Sequence, residues 1–291
     1  AQSYNSLQPR LRLSYTPHKD LSFHLSYARM MQPVHLLTNP SVGLPTDIWV
    51  SATEDISPEF SDQVSLGAQN TLWQGWELSS DVYYKEMRNL IAYREGYGFA
   101  NTYDWTRAVE TDGRGTSYGI ELMLSKTSGK TTGWLAYTLS YSNRQFSNIN
   151  QGEIFPFKYD RRHDFKLALK HRFSENFDIG INWIYNSGIA FTMPLDQYYT
   201  IDDFGTVLST IEYSGRNELR MPTYHRLDIG MNFHKETKWG SRTINVSIYN
   251  LYSRLNPFAI ETRPDFSGNG VEYVQISLFP ILPSISYQFR F

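Results

Sequence analysis

The sequence contains no cysteine in its 291 residues, which excludes disulfide frameworks, cysteine-ligated zinc and thiol catalysis. It also lacks a strong charge of either sign. The formal net charge is −2, so a nucleic-acid partner has no electrostatic support. A run of about 18 apolar residues is missing as well, and the mean hydropathy of −0.45 excludes helical membrane spans.

The sequence is rich in aromatic residues, with 21 Tyr, 17 Phe and 7 Trp. Such rings concentrate at interfaces and at the two surfaces of a membrane. Apolar and polar residues also alternate with period two along much of the chain. In residues 163–188, Leu167 and Leu169 have polar neighbours, and after a short turn Ile179 and Ile181 repeat the pattern. This alternation predicts a hairpin with one apolar and one polar face.

The same pattern predicts further antiparallel hairpins and a final strand. The paired segments are 7–16 with 21–30, 60–73 with 76–88, 116–126 with 134–143, and 224–234 with 242–252; the last strand is 284–291. Together they make about eleven strands. Each is close to or above the ~9 to 11 residues that a tilted strand needs to cross a bilayer.

The predicted connections alternate between short and long. Those within hairpins are a few residues, whereas those between hairpins cover 31–59, 91–115, 145–162, 187–223 and 253–270. Outer-membrane barrels have short periplasmic turns and long outer loops, while compact soluble domains rarely carry several structureless loops beyond ~15 residues. The fold class predicted is therefore an all-β, antiparallel transmembrane barrel. Periodicity alone does not exclude a soluble β-sandwich, in which the same apolar faces would point inward to a core.

Aromatic pairs flank the predicted short turns, as expected for an interfacial girdle: Trp73 with Trp76, Phe173 with Phe177, and Phe233 with Trp239. The strand count adds a second expectation. Complete bacterial barrels have an even number of strands. The odd count here predicts that residues 1–291 are the C-terminal part of a longer protein, with the preceding strands elsewhere.

The order of several phrases carries a family resemblance. PRLRLSY, SYARMMQPVHLL, LPTDIWV, SLGAQN, YDRRHDF, NWIYNSG, RMPTYHRLDIGMNF, IYNLYSRLNPF and LFPILPSISYQFRF follow one another along the chain. This order resembles the C-terminal barrel half of TonB-dependent outer-membrane receptors of the Bacteroidota type. The resemblance implies a barrel of about 22 strands, of which this chain supplies about eleven, and an N-terminal plug domain that is absent from the chain.

The resemblance implies a location in the bacterial outer membrane and a role in importing a scarce nutrient: a siderophore, cobalamin, glycan or peptide. The partners implied are outer-membrane lipid and lipopolysaccharide, the N-terminal barrel half and plug of the same protein, and TonB through that plug. An alternative is a receptor-like barrel that serves as a scaffold for a surface lipoprotein or an assembly complex. The N-terminal half would separate the two, because a plug and a TonB-contacting segment are expected only for transport.

An outer-membrane enzyme is the third class considered, and the sequence offers no catalytic set for it. The seven histidines lack metal-ligand spacing, and no nucleophile motif accompanies YDRRHD, residues 159–164. Adjacent residues on a strand point to opposite faces, so the side chains of His163 and Asp164 are not expected to interact. Arg161 and Arg162 are expected to fix a loop or meet lipopolysaccharide phosphates. We predict no catalytic residue, metal site or cofactor.

Three groups of residues are predicted to have roles in binding or assembly. The candidates for ligand contact in long outer loops, where loop packing is the competing role, are Tyr97, Phe99, Tyr103, Trp105, Tyr198, Tyr199, Asp202 and Asp203. The residues predicted to face the barrel lumen and the plug are Lys166, Lys170, Arg172, Asp178, Asn182, Arg226, Asp228 and Asn232. The predicted assembly signal is Tyr287, Phe289 and Phe291.

Overall fold

A computed structural model describes residues 3–39, 46–201, 207–264 and 271–291, with the backbone alone at 99–102, 194–200, 207–212, 262, 264 and 271. The described chain is built of β-strands and two short 3-10 helices. None of its helices has the length and apolar character needed to cross a membrane.

One large antiparallel sheet dominates the described part of the chain. Its path runs through eleven strands: β1 (Arg10–His18), β2 (Leu21–Gln32), β5 (Glu59–Trp73), β6 (Trp76–Tyr93), β7 (Val109–Lys126), β8 (Thr131–Gln145), β10 (His163–Ser174), β11 (Phe177–Asn186), β16 (Tyr224–Thr237), β17 (Gly240–Tyr249) and β20 (Leu282–Arg290). Each strand pairs with the one before and the one after it on this path. The five hairpins and the final strand predicted from alternation are all present.

Short turns join these strands at one end of the sheet, which we call the short-turn end. The opposite end, the loop end, carries the long connections between hairpins. These contain β3 (Val34–Leu37), β4 (Ile48–Ser51), β9 (Phe155–Pro156), β12 (Ala190–Phe191), β13 (Pro194–Ile201), β14 (Val207–Tyr213), β15 (Leu219–Arg220), β18 (Pro257–Pro264) and β19 (Val271–Ser277), with 3-10 helices at Phe99–Ala108 and Asn150–Gly152. The long connections predicted between hairpins are therefore present, and they contain short strands and 3-10 helices of their own.

Several predicted boundaries also need correction. The connection predicted at 91–115 is shorter, because β6 continues to Tyr93 and β7 already begins at Val109. Strand β17 ends at Tyr249 rather than at Tyr252. Strands β6 and β7 extend the sheet into the loop end, where the last side chains of β6 and the first of β7 are buried.

The register places apolar and polar residues on opposite faces of the sheet. Residues directly opposite in an antiparallel pair share a face. Leu66 pairs with Val82, and Val82 with Ile120, so they form one apolar row across three strands. All three side chains are exposed, with 58%, 51% and 41% of their surface accessible. An exposed apolar face of this extent is the pattern expected of a surface that contacts lipid.

The buried apolar residues lie in the loop end. One cluster centres on Leu37, Val50, Tyr93 and Val109, and a second on Phe146 with its neighbours from β6 and the following loop. Gly113 allows this packing, since a Cβ atom there would clash with the Phe146 ring. The sheet thus carries a compact layer of packed loops on one end, rather than a core beneath one face.

Both ends of the sheet path are edges. Within the described residues, β1 pairs only with β2, and β20 pairs only with β17. Every residue of β1 is exposed. Unpaired edges of this length leave rows of backbone donors and acceptors without partners, so another strand is expected to pair with each.

Candidate functional site

The folded connections at the loop end, which we call the loop cap, are tied together by buried charges. Lys158 Nζ lies 2.9 Å from Asp47 Oδ1, and only 15% and 9% of the two side chains are exposed. Lys158 also donates to the Asn39 carbonyl at 3.2 Å. The Tyr159 hydroxyl donates to the second oxygen of Asp47. These contacts fasten the β8–β10 connection to the β2–β5 connection.

The Asp160 carboxylate forms a second tie. Its side chain is fully buried and accepts the backbone N–H of Ser142 at 2.6 Å. Arg220 forms an ion pair with it, and Arg162 Nε lies 3.2 Å away. Arg162 also stacks over Tyr141, with its guanidinium carbon 3.9 Å from the ring centroid. Asp160 therefore fastens the β8–β10 connection to the β11–β16 connection.

Amide and backbone hydrogen bonds extend this network to the remaining loops. Asn217 Nδ2 donates to the Pro156 carbonyl at 2.9 Å. Asn150 N donates to Glu95 Oε1 at 2.8 Å, which joins the β6–β7 connection. Buried Asn250 donates through Nδ2 to the carbonyls of Arg254 and Phe279 within the β17–β20 connection. Arg254 Nη2 donates to the Thr223 carbonyl at 3.0 Å, which joins this connection to the β11–β16 connection. The loop cap is one interlocked layer.

A polar cleft of about 500 Å³ opens in this layer between the β2–β5 and β6–β7 connections. Arg94 Nε lies 3.1 Å from Glu110 Oε1 in its lining. Arg107 Nε lies 3.1 Å from Asp104 on the 3-10 helix, and Asp55 is on the opposite wall. The cleft thus offers both signs of charge to a ligand, mostly already paired.

The predicted ligand residues have different surroundings. Tyr97 and Tyr103 project from the loop cap, with 44% and 105% of their surface exposed. Trp105 packs against the cluster around Leu37 and Tyr93, so its contacts are those of a loop-packing residue. Phe99 begins the 3-10 helix, and Tyr198 and Tyr199 lie on β13; only their backbone is described. Asp202 and Asp203 lie outside the described residues. A role in ligand binding stays a prediction.

Part of the predicted lumen set forms a network around Asp178. Only 3% of the Asp178 side chain is exposed. Its carboxylate accepts from Lys170 at 3.0 Å, Asn232 at 2.8 Å and His234 at 2.8 Å. Asn232 in turn accepts from Asn245 at 2.8 Å. This network joins four neighbouring strands on the polar face.

The other predicted lumen residues are arranged in pairs or stand alone on the same face. Arg226 Nη2 lies 2.9 Å from Asp228, and its guanidinium carbon lies 4.0 Å from the centroid of Tyr249. Lys166 Nζ lies 3.2 Å from Asp164. The backbones of Arg172 and Asn182 pair with Asp178 and Asp228 respectively. Contact of this face with a plug stays a prediction.

Aromatic rings line the short-turn end, as the sequence predicted. Trp73 and Trp76 lie 5.6 Å apart between ring centroids. Phe177 stacks with both Phe173 and Phe233, at 5.5 and 5.0 Å. In the predicted assembly signal, Phe289 and Phe291 meet edge to face at 5.1 Å, and Tyr287 is 63% exposed on β20. A role in assembly stays a prediction.

Residues of the YDRRHD segment contact other side chains of the fold. His163 Nδ1 lies 3.0 Å from the Tyr137 hydroxyl, whereas Asp164 contacts Lys166. Arg161 donates to Asn186 Oδ1 at 3.1 Å. No cluster of three or more histidine or carboxylate side chains suited to a metal ion occurs in the part of the chain that the structure describes.

Local sequence patterns gave no signal for the loop-cap ties. Asp47 and Lys158 are separated by 111 residues, and Asp160 and Arg220 by 60. Outward-facing charges at the loop ends of β2, β6 and β7 were also missed. Their signal was present, because they interrupt the apolar face of otherwise regular strands.

The family profile described as "TonB dependent receptor-like, beta-barrel" matches residues 1–251. No curated protein sequence matches the chain.

Among solved structures, three receptors have folds similar to that of the chain. The ferric-catecholate import receptor Fiu from E. coli K12 matches with a TM-score of 0.57 and 13% identity, over 96% of this chain and 34% of that chain. The ferric yersiniabactin uptake receptor FyuA from Yersinia pestis matches with a TM-score of 0.59 and 15% identity, over 96% of this chain and 36% of that chain. The pyoverdine outer membrane receptor FpvA from Pseudomonas aeruginosa PAO1 matches with a TM-score of 0.59 and 11% identity, over 98% of this chain and 36% of that chain. The chain spans about a third of each receptor's length.

Proposed function

The chain belongs to the TonB-dependent receptor β-barrel family, and we propose that it forms part of the barrel wall of a receptor that imports a scarce nutrient. Members of this family are outer-membrane β-barrel proteins, so the chain lies in the outer membrane. In such barrels the short turns face the periplasm and the long loops face outward. The loop cap is then extracellular, the apolar face contacts lipid, and the polar face lines the lumen.

The loop cap is the observation that carries this proposal. Buried ion pairs between loops distant in sequence hold the extracellular connections in one arrangement, as a preorganised binding surface requires. Tyr97 and Tyr103 project from this layer, and Tyr103 directly precedes Asp104, which lines the polar cleft. Exposed rings together with charged groups suit recognition of a bulky polar ligand. No chemistry on the ligand is assigned to the chain, because family members are receptors and transporters.

We place the substrate in the class of ferric siderophores, ahead of cobalamin, glycans and peptides. Fiu, FyuA and FpvA are named for ferric-catecholate import, ferric yersiniabactin uptake and pyoverdine binding. Their identity to the chain is 15% or less, so this support rests on shared fold and family. The paired charges and exposed tyrosines of the cap are compatible with a metal chelate of mixed polarity.

The plug and the segment that contacts TonB are proposed to lie in another part of the same receptor. Two observations support this division: the open edges at β1 and β20, and the match of the chain to about a third of each solved receptor. Closing the barrel requires strands that pair with both edges. The network around Asp178 then faces the plug.

Uptake by cells that carry the full-length receptor tests the proposal. Cells with and without the receptor gene, each in a TonB-positive and a TonB-negative background, are supplied with radioactive iron on a panel of siderophores and, separately, with cobalamin, glycans and peptides. We expect uptake of at least one ferric siderophore that needs both the receptor and TonB. Receptor-dependent uptake of another class alone would overturn the substrate proposal. A receptor present in the membrane with no TonB-dependent uptake of any class would overturn transport itself.

A further inference from the structure

The polar cleft of the loop cap carries an excess of negative charge. Asp55 is the charged residue on the wall formed by the β2–β5 connection. The charged residues of the opposite wall lie between residues 94 and 110: Arg94, Asp104, Arg107 and Glu110. Three carboxylates against two guanidinium groups leave one negative charge without a partner in the lining.

Both arginines of the cleft already have a carboxylate partner. Arg94 Nε lies 3.1 Å from Glu110 Oε1. Arg107 Nε lies 3.1 Å from Asp104 Oδ2, and the Thr106 hydroxyl donates to the other oxygen of Asp104 at 2.8 Å. Each guanidinium charge is therefore balanced within the cleft itself, and the charge left for a ligand is that of the remaining carboxylate.

Asp55 holds this remaining charge on an anchored turn. Its side chain is exposed and forms no ion pair or hydrogen bond with any residue that the structure describes. Thr53 N donates to the Ile56 carbonyl at 3.0 Å and Ile56 N donates to Thr53 Oγ1 at 3.2 Å, which closes the turn around Glu54 and Asp55. Ile56 is 2% exposed and packs in the buried cluster around Tyr93. A carboxylate held in this way loses little conformational freedom when it binds a ligand.

Exposed tyrosine rings lie close to the cleft along the chain. Tyr103 is fully exposed and directly precedes Asp104. Tyr97, which is 44% exposed, donates its backbone N–H to the Arg94 carbonyl at 3.1 Å. The face of a tyrosine ring attracts a cation, as an unpaired carboxylate does. Rings and carboxylate therefore favour the same sign of charge on a ligand.

We propose that the cleft binds a protonated amine of the imported ligand, with the Asp55 carboxylate as its acceptor. An anionic group would have to displace Asp104 or Glu110 from its arginine, whereas an ammonium group reaches Asp55 without breaking a contact. A bare metal ion is not the occupant, because it needs more oxygen ligands than one free carboxylate supplies. The inference rests on the proposed function, and it narrows the substrate class to a ferric chelate that carries a pendant ammonium group.

Small matched probes test the cleft in the full-length receptor. Benzylamine, which is protonated at neutral pH, benzyl alcohol and benzoate share one ring and differ in charge. Each is titrated into the purified receptor in detergent, and binding is followed by saturation-transfer NMR. We expect benzylammonium to bind at least threefold more tightly than benzyl alcohol, and benzoate to bind most weakly. Asp55→Asn should abolish this preference, and added salt should reduce it in wild type.

Glu54→Gln is the matched control. Glu54 is exposed on the same turn and is not among the residues that line the cleft, so the substitution removes the same charge from a neighbouring position. This variant should keep at least half of the preference for benzylammonium. Correct folding of each variant is checked by heat-modifiable migration on a gel.

Three results of these titrations would overturn the proposal. The first is wild-type receptor that binds benzyl alcohol or benzoate as tightly as benzylammonium. The second is folded Asp55→Asn that keeps the preference. The third is a loss in Glu54→Gln as large as that in Asp55→Asn, which would show a general effect of charge rather than a site.

The imported ligand supplies an independent test once uptake has identified it. N-acetylation of its amine should weaken binding to wild type at least threefold and leave binding to Asp55→Asn unchanged. An imported ferric siderophore without a positively charged group would overturn this inference and leave the proposed substrate class standing. Import of cobalamin or a glycan would overturn that class, while the probe titrations would still decide the charge preference of the cleft.

Discussion

Lys158 Nζ and Asp47 Oδ1 lie 2.9 Å apart although 111 residues separate them in the sequence. The pair is almost completely shielded from water, so the two charges depend on one another. Removing one partner of a buried pair leaves an uncompensated charge, which costs far more than the pair itself contributes. The arrangement of the extracellular loops therefore depends on a few such contacts.

Asp47→Asn should loosen the loop cap without unfolding the barrel. Breaking a buried pair costs about 3–5 kcal/mol, and this cost falls on local opening of the β2–β5 and β8–β10 connections. Hydrogen exchange of the full-length receptor should accelerate in those connections and stay unchanged in β10 and β11. The control is Asp104→Asn, because its partner Arg107 is 88% exposed and the pair contributes little. Equal effects of the two substitutions would contradict the role of burial.

The loop cap should also lose stability at high pH. Partial burial, and then its hydrogen bond to Asp47, raise the pKa of the Tyr159 hydroxyl above its ordinary value near 10. A group with a raised pKa in the folded state stabilises that state below its unfolded pKa and loses this contribution as the pH rises further. Loop-cap opening should be independent of pH up to about 10 and increase above it.

Tyr159→Phe tests the assignment of that pH dependence. The variant should open more easily at neutral pH, because Asp47 loses a donor, and its opening should rise less steeply above pH ~10 than that of wild type. Tyr103→Phe, which removes a fully exposed hydroxyl, should behave like wild type. An unchanged slope in Tyr159→Phe would assign the titration to another group.

Arginine substitutions should separate the two faces of the sheet. Leu167→Arg places a charge on the lipid face near the bilayer midplane and should cost about 2–4 kcal/mol. Asn182→Arg places the same side chain on the polar face and should cost much less. Unfolding of the full-length receptor in liposomes measures both. Comparable losses at the two positions would contradict the assignment of the faces.

Tyr103→Ala should weaken binding of the imported ligand without changing the fold. A fully exposed ring contributes to binding only through contact with a ligand, and aromatic anchors typically account for about 1–2 kcal/mol, or about tenfold in affinity. Equilibrium binding to the full-length receptor in detergent measures the effect. Trp239→Ala, an exposed ring at the short-turn end, is the control. Unchanged affinity in Tyr103→Ala would remove this residue from the binding surface.

Period-two alternation was sufficient to predict the hairpins, their short turns and the girdle pairs such as Trp73 with Trp76. This prediction succeeds because strands that are neighbours in the sheet are also neighbours in the sequence. The alternation along each strand therefore decides which side chains lie on each face. The Asp112–Gly113–Arg114–Gly115 stretch lay within the connection predicted at 91–115, but it belongs to strand β7. Glycine within a strand often marks a close approach, and here the Phe146 ring occupies the space that a side chain at 113 would fill.

Other features depend on contacts that no local pattern encodes. The pairings of Asp47 with Lys158 and of Asp160 with Arg220 join separate loops, and the packing of Trp105 follows from where those loops meet. The Bacteroidota type, the plug contacts and the assembly role of Phe291 stay predictions.

The absence of native cysteine makes the orientation of the chain directly measurable. Tyr103→Cys in the loop cap and Trp239→Cys at the short-turn end are introduced singly into the full-length receptor, after replacement of any cysteine elsewhere in it. Intact cells are then treated with a polyethylene-glycol maleimide too large to cross the outer membrane. We expect Tyr103→Cys to be labelled on intact cells and Trp239→Cys only after the outer membrane is permeabilised. Labelling of Trp239→Cys on intact cells, with Tyr103→Cys protected, would contradict an extracellular loop cap.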